Sequence, residues 1–172
     1  MKTIAILAPM QEELDALARQ LPSGTTEIVH GLSVLHVDFS GHHLVLAKSG
    51  VGKVNTAMNA TLIASAFAPD AIVNVGSSGG LRDGQKILDL VIPDEVLAID
   101  VDVTPLGFEY GQMLGEPAVY HTDAKLRDLF EHAVRNWQEI PTIHQGAVGT
   151  GDSFVYRPDQ VSLIRERFGE HR

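Results

Sequence analysis

The chain has 172 residues, with 22 acidic and 13 basic side chains and a formal net charge of −9. Such a charge repels a polyanion, so we expect no nucleic-acid partner. Cysteine is absent, which excludes disulfides and thiolate metal sites and is typical of a reducing compartment, so we expect a cytoplasmic protein. The first apolar run is too short for a signal peptide or a membrane span, and we therefore expect no membrane partner.

The first part of the chain predicts a strand, a helix and an antiparallel meander. Residues 3–7 are apolar enough for a buried strand, and Pro9 suits the first turn of the helix that follows. That helix carries leucines at helical spacing. Glycine-containing turns at 30–31 and 40–41 then divide residues 26–48 into three short strands.

A helix predicted over residues 53–67 is apolar around most of its circumference. We expect such a helix to be buried almost all round. Two ways of burying it remain open at this point: a second subunit covers one face, or the chain buries the helix deeply by itself.

The rest of the chain predicts further alternation of strands and helices. A strand at 71–75 leads into a loop of glycines and serines, and residues 102–121 are apolar without a clear periodicity. Further strands are predicted at 88–92, 95–99 and 143–148, and further helices at 123–137, capped by Thr122 or Asp123, and at 158–168. No linker or repeat interrupts this order, which predicts a single α/β domain over residues 1–172.

The loop Gly-Ser-Ser-Gly-Gly at 76–80 is the first candidate for a binding site. Glycines let a ligand approach the main chain closely, and serine hydroxyls and loop N–H groups can point at oxygen atoms. The spacing of these glycines does not match that of dinucleotide-binding folds. By itself the loop is either a ligand cradle or a structural turn between a strand and a helix.

Glu12 and Glu13 stand where the first strand gives way to the first helix. Proteins of the α/β class place ligands at the carboxyl ends of such strands. Acidic residues also favour the first turn of any helix, because they complement its positive end. The two side chains point about 100° apart around the helix, so at most one of them is expected to face a pocket.

Three other kinds of site lack support. The stretch 49–53 lacks the glycine at 47 and the Ser or Thr at 54 that a phosphate-binding P-loop needs. The eight histidines show no metal-ligand spacing, so we expect no metal. No G-x-S-x-G motif supports a serine hydrolase.

Five segments, in the same order, match a known family. They are Met-Gln-Glu-Glu at 10–13, Lys-Ser-Gly-Val-Gly-Lys at 48–53, Asn-Val-Gly-Ser-Ser-Gly-Gly at 74–80, Asp-Val-Thr to Gly-Gln within 102–112, and Gly-Asp-Ser-Phe at 151–154. On these segments the chain resembles the nucleoside phosphorylase/nucleosidase superfamily, most closely its bacterial 5′-methylthioadenosine/S-adenosylhomocysteine nucleosidases.

This resemblance implies a three-layer α/β/α fold with a central mixed sheet, a homodimer, and hydrolysis without a cofactor of the bond between adenine and a 5-thioribose. Cleavage of an N-glycosidic bond creates a cationic sugar and an anionic purine, so it needs a carboxylate to activate water and an acid to protonate the base. By resemblance Glu13 is the water-activating carboxylate, and Glu12 keeps the helix-capping role.

The resemblance also assigns the residues that bind an adenine nucleoside. Met10 and Ser77 match positions on the ribose and nucleophile side, beside the main chain of Ser78 and Gly79. Val51 matches a position near the 5′-alkylthio group.

Four further residues are assigned in the same way. Phe154 and Val155 match the segment that stacks against adenine and hydrogen-bonds to it through the main chain. Val103 and Leu106 match residues that reach across the dimer and close the thioalkyl pocket of the neighbouring subunit, which would explain the apolar segment 102–121.

Two departures from the family pattern bear on activity. Leu106 and Leu114 stand where an aromatic residue and a proline are familiar, a change expected to reshape the thioalkyl pocket. Family members also continue beyond the position of Arg172, through residues that hold the ribose hydroxyls and protonate the purine. The resemblance therefore implies a fold without its last strand and helix, and little or no nucleosidase activity for these 172 residues alone, since loss of a general acid costs about 10²- to 10⁴-fold in rate.

Two alternative functions remain at this stage. One is a nucleoside-binding protein without catalysis. The other is a purine nucleoside phosphorylase, which would use phosphate in place of water. The loop at 76–80 contains no Lys or Arg to hold a phosphate, and Arg82 is the nearest basic residue, which favours water.

Overall fold

The computed structural model describes residues 1–137 and 141–169; His171, one of the eight histidines, lies outside these ranges. The chain divides into two compact units, Met1–Ser78 and Gly79–Arg172. Among the helices of the described ranges, none has the length and apolar character needed to cross a membrane.

The first unit is built on a five-stranded mixed sheet. Its elements are β1 (Thr3–Ala8), α1 (Gln11–Ala18), β2 (Thr25–Val29), β3 (Leu32–Phe39), β4 (His42–Lys48), α2 (Lys53–Phe67) and β5 (Ala71–Asn74). The strand order is β2-β3-β4-β1-β5. Strand β1 pairs in parallel with β4 and with β5, while β2, β3 and β4 form the predicted antiparallel meander.

The two faces of this sheet are covered by different helices, because successive side chains of a strand point to opposite faces. On one face Ala5 and Leu7 of β1 pack in the same cluster as Ile63 of α2. On the other face Ala8 packs in a cluster with Leu14 of α1. Both faces of β1 and β4 are therefore buried, which is typical of α/β proteins and confirms the expected three layers with a central mixed sheet.

Helix α2 has the predicted bounds but not the predicted burial. Ile63 is its one buried residue in the described chain, while Val54 is exposed and the Met58 side chain is 55% exposed. The expectation of deep burial within a single chain is wrong, because a helix lying on a sheet covers only the stripe of residues that faces the strands. The opposite stripe remains apolar and uncovered.

The second unit contains shorter elements. They are β6 (Leu90–Val91), β7 (Glu95–Ala98), a 3₁₀ turn (Thr104–Leu106), β8 (Tyr120–His121), α3 (Ala124–Val134), β9 (Ile143–His144), β10 (Ala147–Thr150) and α4 (Pro158–Phe168). Strand β7 lies between β10, its parallel partner, and β8, its antiparallel partner. Strands β6 and β9 form a separate parallel pair.

Several of these elements differ from their sequence-based bounds: β6 and β7 are shorter than predicted, and β8 lies in the segment 102–121, where the sequence predicts no strand. The single strand predicted at 143–148 is divided into β9 and β10 at Gly146, whose φ of 133° interrupts the extended chain. Helix α3 ends at Val134, three residues early, although Asp123 caps it as predicted by accepting a hydrogen bond from the Leu126 N–H at 2.9 Å. Its apolar face is largely open, since only Val134 of the helix is buried.

We expect Ile63→Ala to destabilise the protein by about 2–5 kcal/mol, because the lost side chain leaves a cavity between α2 and the sheet. Ile87 provides the matched control, since it is 95% exposed and its replacement by Ala should cost no more than about 0.5 kcal/mol. Urea denaturation of both variants measures the difference. Equal losses of stability would contradict the described core.

Candidate active site

Three loops of the first unit leave the sheet at one edge, because β4, β1 and β5 are neighbouring parallel strands. The Ser49 N–H donates to the carbonyl of Ala8 at 2.8 Å, and the Val75 N–H donates to the carbonyl of Leu7 at 2.9 Å. Helix α1 follows β1 on one face of the sheet, and α2 follows β4 on the other. A crevice outside the carboxyl ends of such strands is where α/β proteins bind ligands.

Glu13 projects from the first turn of α1 into the loop that follows β5. Its Oε1 accepts hydrogen bonds from the N–H and the hydroxyl of Ser77, both at 2.8 Å. Its Oε2 accepts a hydrogen bond from the Met10 N–H at 3.0 Å. The structure thus brings together three predicted site residues, Met10, Glu13 and Ser77.

The expected division of roles between the two glutamates is wrong in one respect. Glu13, at the third position of α1, accepts the N–H of Met10 at the N-cap, so it caps the helix while it also holds Ser77. Glu12 lies exposed in the same first turn, where its charge complements the helix dipole. Only one of the two carboxylates faces the loop, as the helical geometry predicts.

The pKa of Glu13 lies below the ordinary value of 4.5, as the balance of two opposing effects. Partial burial raises the pKa, and the hydrogen bonds from Ser77 and Met10 lower it by more. Glu13 is therefore a carboxylate at neutral pH. The lowered pKa also means that these hydrogen bonds contribute stability above about pH 4.5, which is lost as the pH falls through the pKa of the folded state.

Gly76 allows the close approach of Glu13 to this loop. A Cβ atom at this position would lie 3.0 Å from Cδ of Pro9 and 3.2 Å from Oε1 of Glu13. Any larger residue would have to displace the carboxylate or the proline ring. The loop is therefore more than a structural turn, because its first residues cradle a carboxylate.

Three further predicted residues, Val51, Ser78 and Gly79, are exposed. Val51 lies in the loop between β4 and α2, 67% exposed, between glycines at 50 and 52 that both have positive φ. Ser78 is exposed, and a Cβ added to Gly79 would meet no atom within 4 Å. Val51 and Ser78 therefore present exposed side chains on loops of the first unit, and the main chain of Gly79 is open.

The second unit carries the other predicted residues on two loops. Phe154 and Val155 follow β10, and Phe154 is 85% exposed with its ring stacked at 6.2 Å on that of Tyr156. Val103 immediately precedes the 3₁₀ turn that contains Leu106, which is exposed.

Two carboxylates that the sequence reasoning missed hold these two loops. The carboxylate of Asp100 accepts the N–H of Asp152 at 2.8 Å, ahead of Phe154. The carboxylate of Asp102 accepts the N–H and the hydroxyl of Thr104, at 3.2 and 2.7 Å. The Asp-x-Asp spacing directly after an apolar strand is the signal that could have indicated them.

Within residues 1–137 and 141–169, no group of three or more His, Cys, Asp or Glu side chains is placed so that it could hold a metal ion. Around Glu13 the structure provides one carboxylate, two main-chain N–H groups and one hydroxyl group.

Comparison with known proteins identifies the family. A model of the phosphorylase superfamily matches residues 3–171, which is almost the whole chain. The chain belongs to the phosphorylase superfamily. Within this superfamily it is similar to the 5′-methylthioadenosine/S-adenosylhomocysteine nucleosidase of Anoxybacillus flavithermus, with 39% identity over 165 residues that cover 96% of this chain and 71% of the relative.

Solved structures of this superfamily agree. The 5′-methylthioadenosine/S-adenosylhomocysteine nucleosidase of Neisseria meningitidis, in complex with methylthio-immucillin-A, matches with a TM-score of 0.93 and 35% identity, over 99% of this chain and 73% of that one. The corresponding enzyme of Streptococcus pneumoniae, in complex with 8-aminoadenine, matches with a TM-score of 0.85 and 36% identity, over 98% and 72% of the two chains. The expected nucleoside phosphorylase-like fold is confirmed.

Replacing Ser77 with Ala should raise the pKa of Glu13 toward its ordinary value, because the variant loses the hydroxyl that donates to Oε1 and keeps only the main-chain N–H groups of Ser77 and Met10. Carbon-detected NMR titration of the Glu13 carboxyl group measures this pKa directly. Ser78→Ala serves as the neighbouring control and should leave it unchanged. An unchanged pKa in Ser77→Ala would show that the hydroxyl does not stabilise the carboxylate.

Proposed function

We propose that the natural protein that carries this chain hydrolyses the N-glycosidic bond of 5′-methylthioadenosine and S-adenosylhomocysteine, releasing adenine and the 5-thioribose product. The observation that carries the proposal is the Glu13 carboxylate, held by three hydrogen bonds at the carboxyl ends of the parallel strands of a mixed sheet. The names of the similar enzymes support the same reaction.

Glu13 is suited to this reaction by its charge and orientation. A carboxylate with a lowered pKa is a weak base, but the cationic sugar of the transition state is so electrophilic that water needs little activation. The negative charge of Glu13 also stabilises that cation across a short distance. Its three hydrogen-bond donors carry no formal charge, so they orient the carboxylate without neutralising it.

We assign the other predicted residues by their match to positions of the family. Met10, Ser77, Ser78 and Gly79 contact the ribose side. Val51 offers an apolar surface to the 5′-thio substituent, which has no hydrogen-bonding group to satisfy.

The base is held by the loop that follows β10. The exposed ring of Phe154 stacks against adenine, with Val155 beside it, and such stacking contributes about 1–3 kcal/mol per base. No cofactor takes part in this scheme, because water supplies the oxygen atom and the bond that breaks carries its own leaving group.

We expect Glu13→Gln to lower the rate of adenine release from 5′-methylthioadenosine by about 10²- to 10⁴-fold, because the amide can neither accept a proton from water nor stabilise the cation by charge. Glu12→Gln removes the same charge one residue away and should retain the rate within a few fold. The measurement is adenine release by the natural protein that carries this chain, and the rate should not depend on added phosphate.

Measurements of binding and of phosphate dependence distinguish hydrolysis from binding without catalysis and from phosphorolysis. If Glu13→Gln keeps the affinity for methylthioadenosine measured by calorimetry while turnover is lost, the residue acts in catalysis. Equal rates for the unsubstituted protein and for Glu13→Gln would contradict the assignment. A rate that requires phosphate would instead indicate a phosphorylase.

We also propose that the protein acts as a homodimer through the exposed stripe of α2. Val54 and Met58 lie on that stripe, and exposed apolar side chains clustered on one helix face commonly mark an interface. The exposed Leu106 would then be available to the neighbouring subunit, together with Val103, to close its thioalkyl pocket.

Met58→Glu should therefore weaken the dimer, because it introduces a charge into a desolvated interface. Sedimentation equilibrium measures the mass at several concentrations. Leu129→Glu is the matched control on α3, since Leu129 is 65% exposed and lies on a helix that we do not assign to the interface. A monomeric unsubstituted protein, or equal weakening by both substitutions, would contradict this proposal.

A further inference from the structure

The loop that carries Val51 is held by side chains of α2 along its whole length. Asn59 Nδ2 donates to the carbonyl of Ser49 at 3.0 Å and makes a longer contact of 3.5 Å with the carbonyl of Lys48. Thr56 Oγ1 donates to the carbonyl of Gly50 at 3.0 Å, and Asn55 Nδ2 donates to that of Val51 at 2.8 Å. Four successive carbonyl groups thus face polar side chains of one helix.

The main chain of this loop also packs closely against α2. Gly50 has a φ of 80°, and a Cβ atom added to it would lie 2.9 Å from Cβ of Asn55. The main chain of the loop is therefore pressed against Asn55, and a side chain at position 50 would force them apart. Ser49 is completely buried, whereas Val51, two residues later, is exposed.

These contacts determine where the Val51 side chain stands. Because the carbonyl of Gly50 and that of Val51 itself both accept hydrogen bonds from α2, the peptide planes on either side of this residue cannot rotate without breaking hydrogen bonds. The side chain is left on the open side of the loop. Asn55 and Thr56 therefore determine the position of the Val51 side chain together with Val51 itself.

We propose that Asn55 is a positioning residue for the 5′ substituent of the substrate, acting through the carbonyl of Val51. This proposal rests on the proposed function, in which Val51 contacts the thioalkyl group. Asn55 itself need not touch the substrate. Its amide fixes the last anchored carbonyl before Gly52, the N-cap of α2, and so limits how far the Val51 side chain can move.

Asn55→Asp isolates this role from the stability of the helix. The carboxylate has the shape of the amide, but it cannot donate a hydrogen bond and would repel the Val51 carbonyl. Position 55 is the third residue of α2, where a negative charge is favourable to the helix dipole, so the helix should be retained. Asn136→Asp is the matched control, because Asn136 Nδ2 donates in the same i to i−4 geometry to the carbonyl of His132 at 2.9 Å.

We expect Asn55→Asp to raise the KM for 5′-methylthioadenosine about tenfold while kcat changes little, since the loss of one ordering hydrogen bond weakens the binding of ground state and transition state alike. The Kd for free adenine, which lacks the 5′ substituent, should be unchanged in calorimetry. Asn136→Asp should alter neither constant. Both variants should keep the melting temperature of the unsubstituted protein within a few degrees.

Asn55→Ser tests whether another hydrogen-bond donor at position 55 restores the affinity. A serine hydroxyl can donate to the carbonyl four residues earlier, as Ser162 does to Pro158 at 3.0 Å in α4, so this variant should recover most of the lost affinity. The proposal is overturned if Asn55→Asp behaves like Asn136→Asp, if it weakens adenine as much as methylthioadenosine, or if Asn55→Ser is as impaired as Asn55→Asp. An unsubstituted protein that neither binds nor cleaves methylthioadenosine would instead refute the proposed function, and this inference with it.

Discussion

The parallel pairing of β1 with β4 on one side and β5 on the other is the constraint on which the first unit depends. It places Ala5 and Leu7 toward α2 and Ala8 toward α1, so the two helices lie on opposite faces of the sheet. It also aligns the carboxyl ends of three strands. The loops that carry Met10, Val51 and Ser77 leave from these ends, and a slip of one residue in the register would turn every buried side chain to the wrong face.

Glu13 connects two of these loops through an uncharged hydrogen-bonding shell. A salt bridge would orient a carboxylate equally well, but it would offset the negative charge that a cationic transition state requires. Main-chain N–H groups and a hydroxyl keep the charge and still lower the pKa. Gly76 makes this arrangement possible because it leaves the space that the carboxylate occupies. Stability and chemistry thus use the same contacts, since the group that caps α1 also faces the crevice.

Helix α2 links the sheet, the loop after β4 and an uncovered apolar surface. Ile63 anchors it to the strands, and Asn55, Thr56 and Asn59 hold the loop that precedes it. Val54 lies beside Asn55 on the exposed part of the same first turn. A subunit packed against that surface would therefore contact the helix that positions Val51. This contact is a physical reason for a pocket and an interface to share one helix.

The sequence by itself determined most of the local structure. Glycine turns, proline and apolar periodicity predicted the meander, the bounds of α2 and those of α4, because these signals act over a few neighbouring residues; the resemblance of five segments predicted the family and the site residues. Tertiary structure alone decided that the Glu13 carboxylate both caps α1 and holds Ser77, since Glu13 meets Ser77 across 64 positions of sequence. It also decided that α2 is covered on one stripe only, and that Asn55 and Thr56 bind carbonyl groups of the preceding loop. Such contacts depend on how strands and helices pack, and periodicity along the chain does not record them.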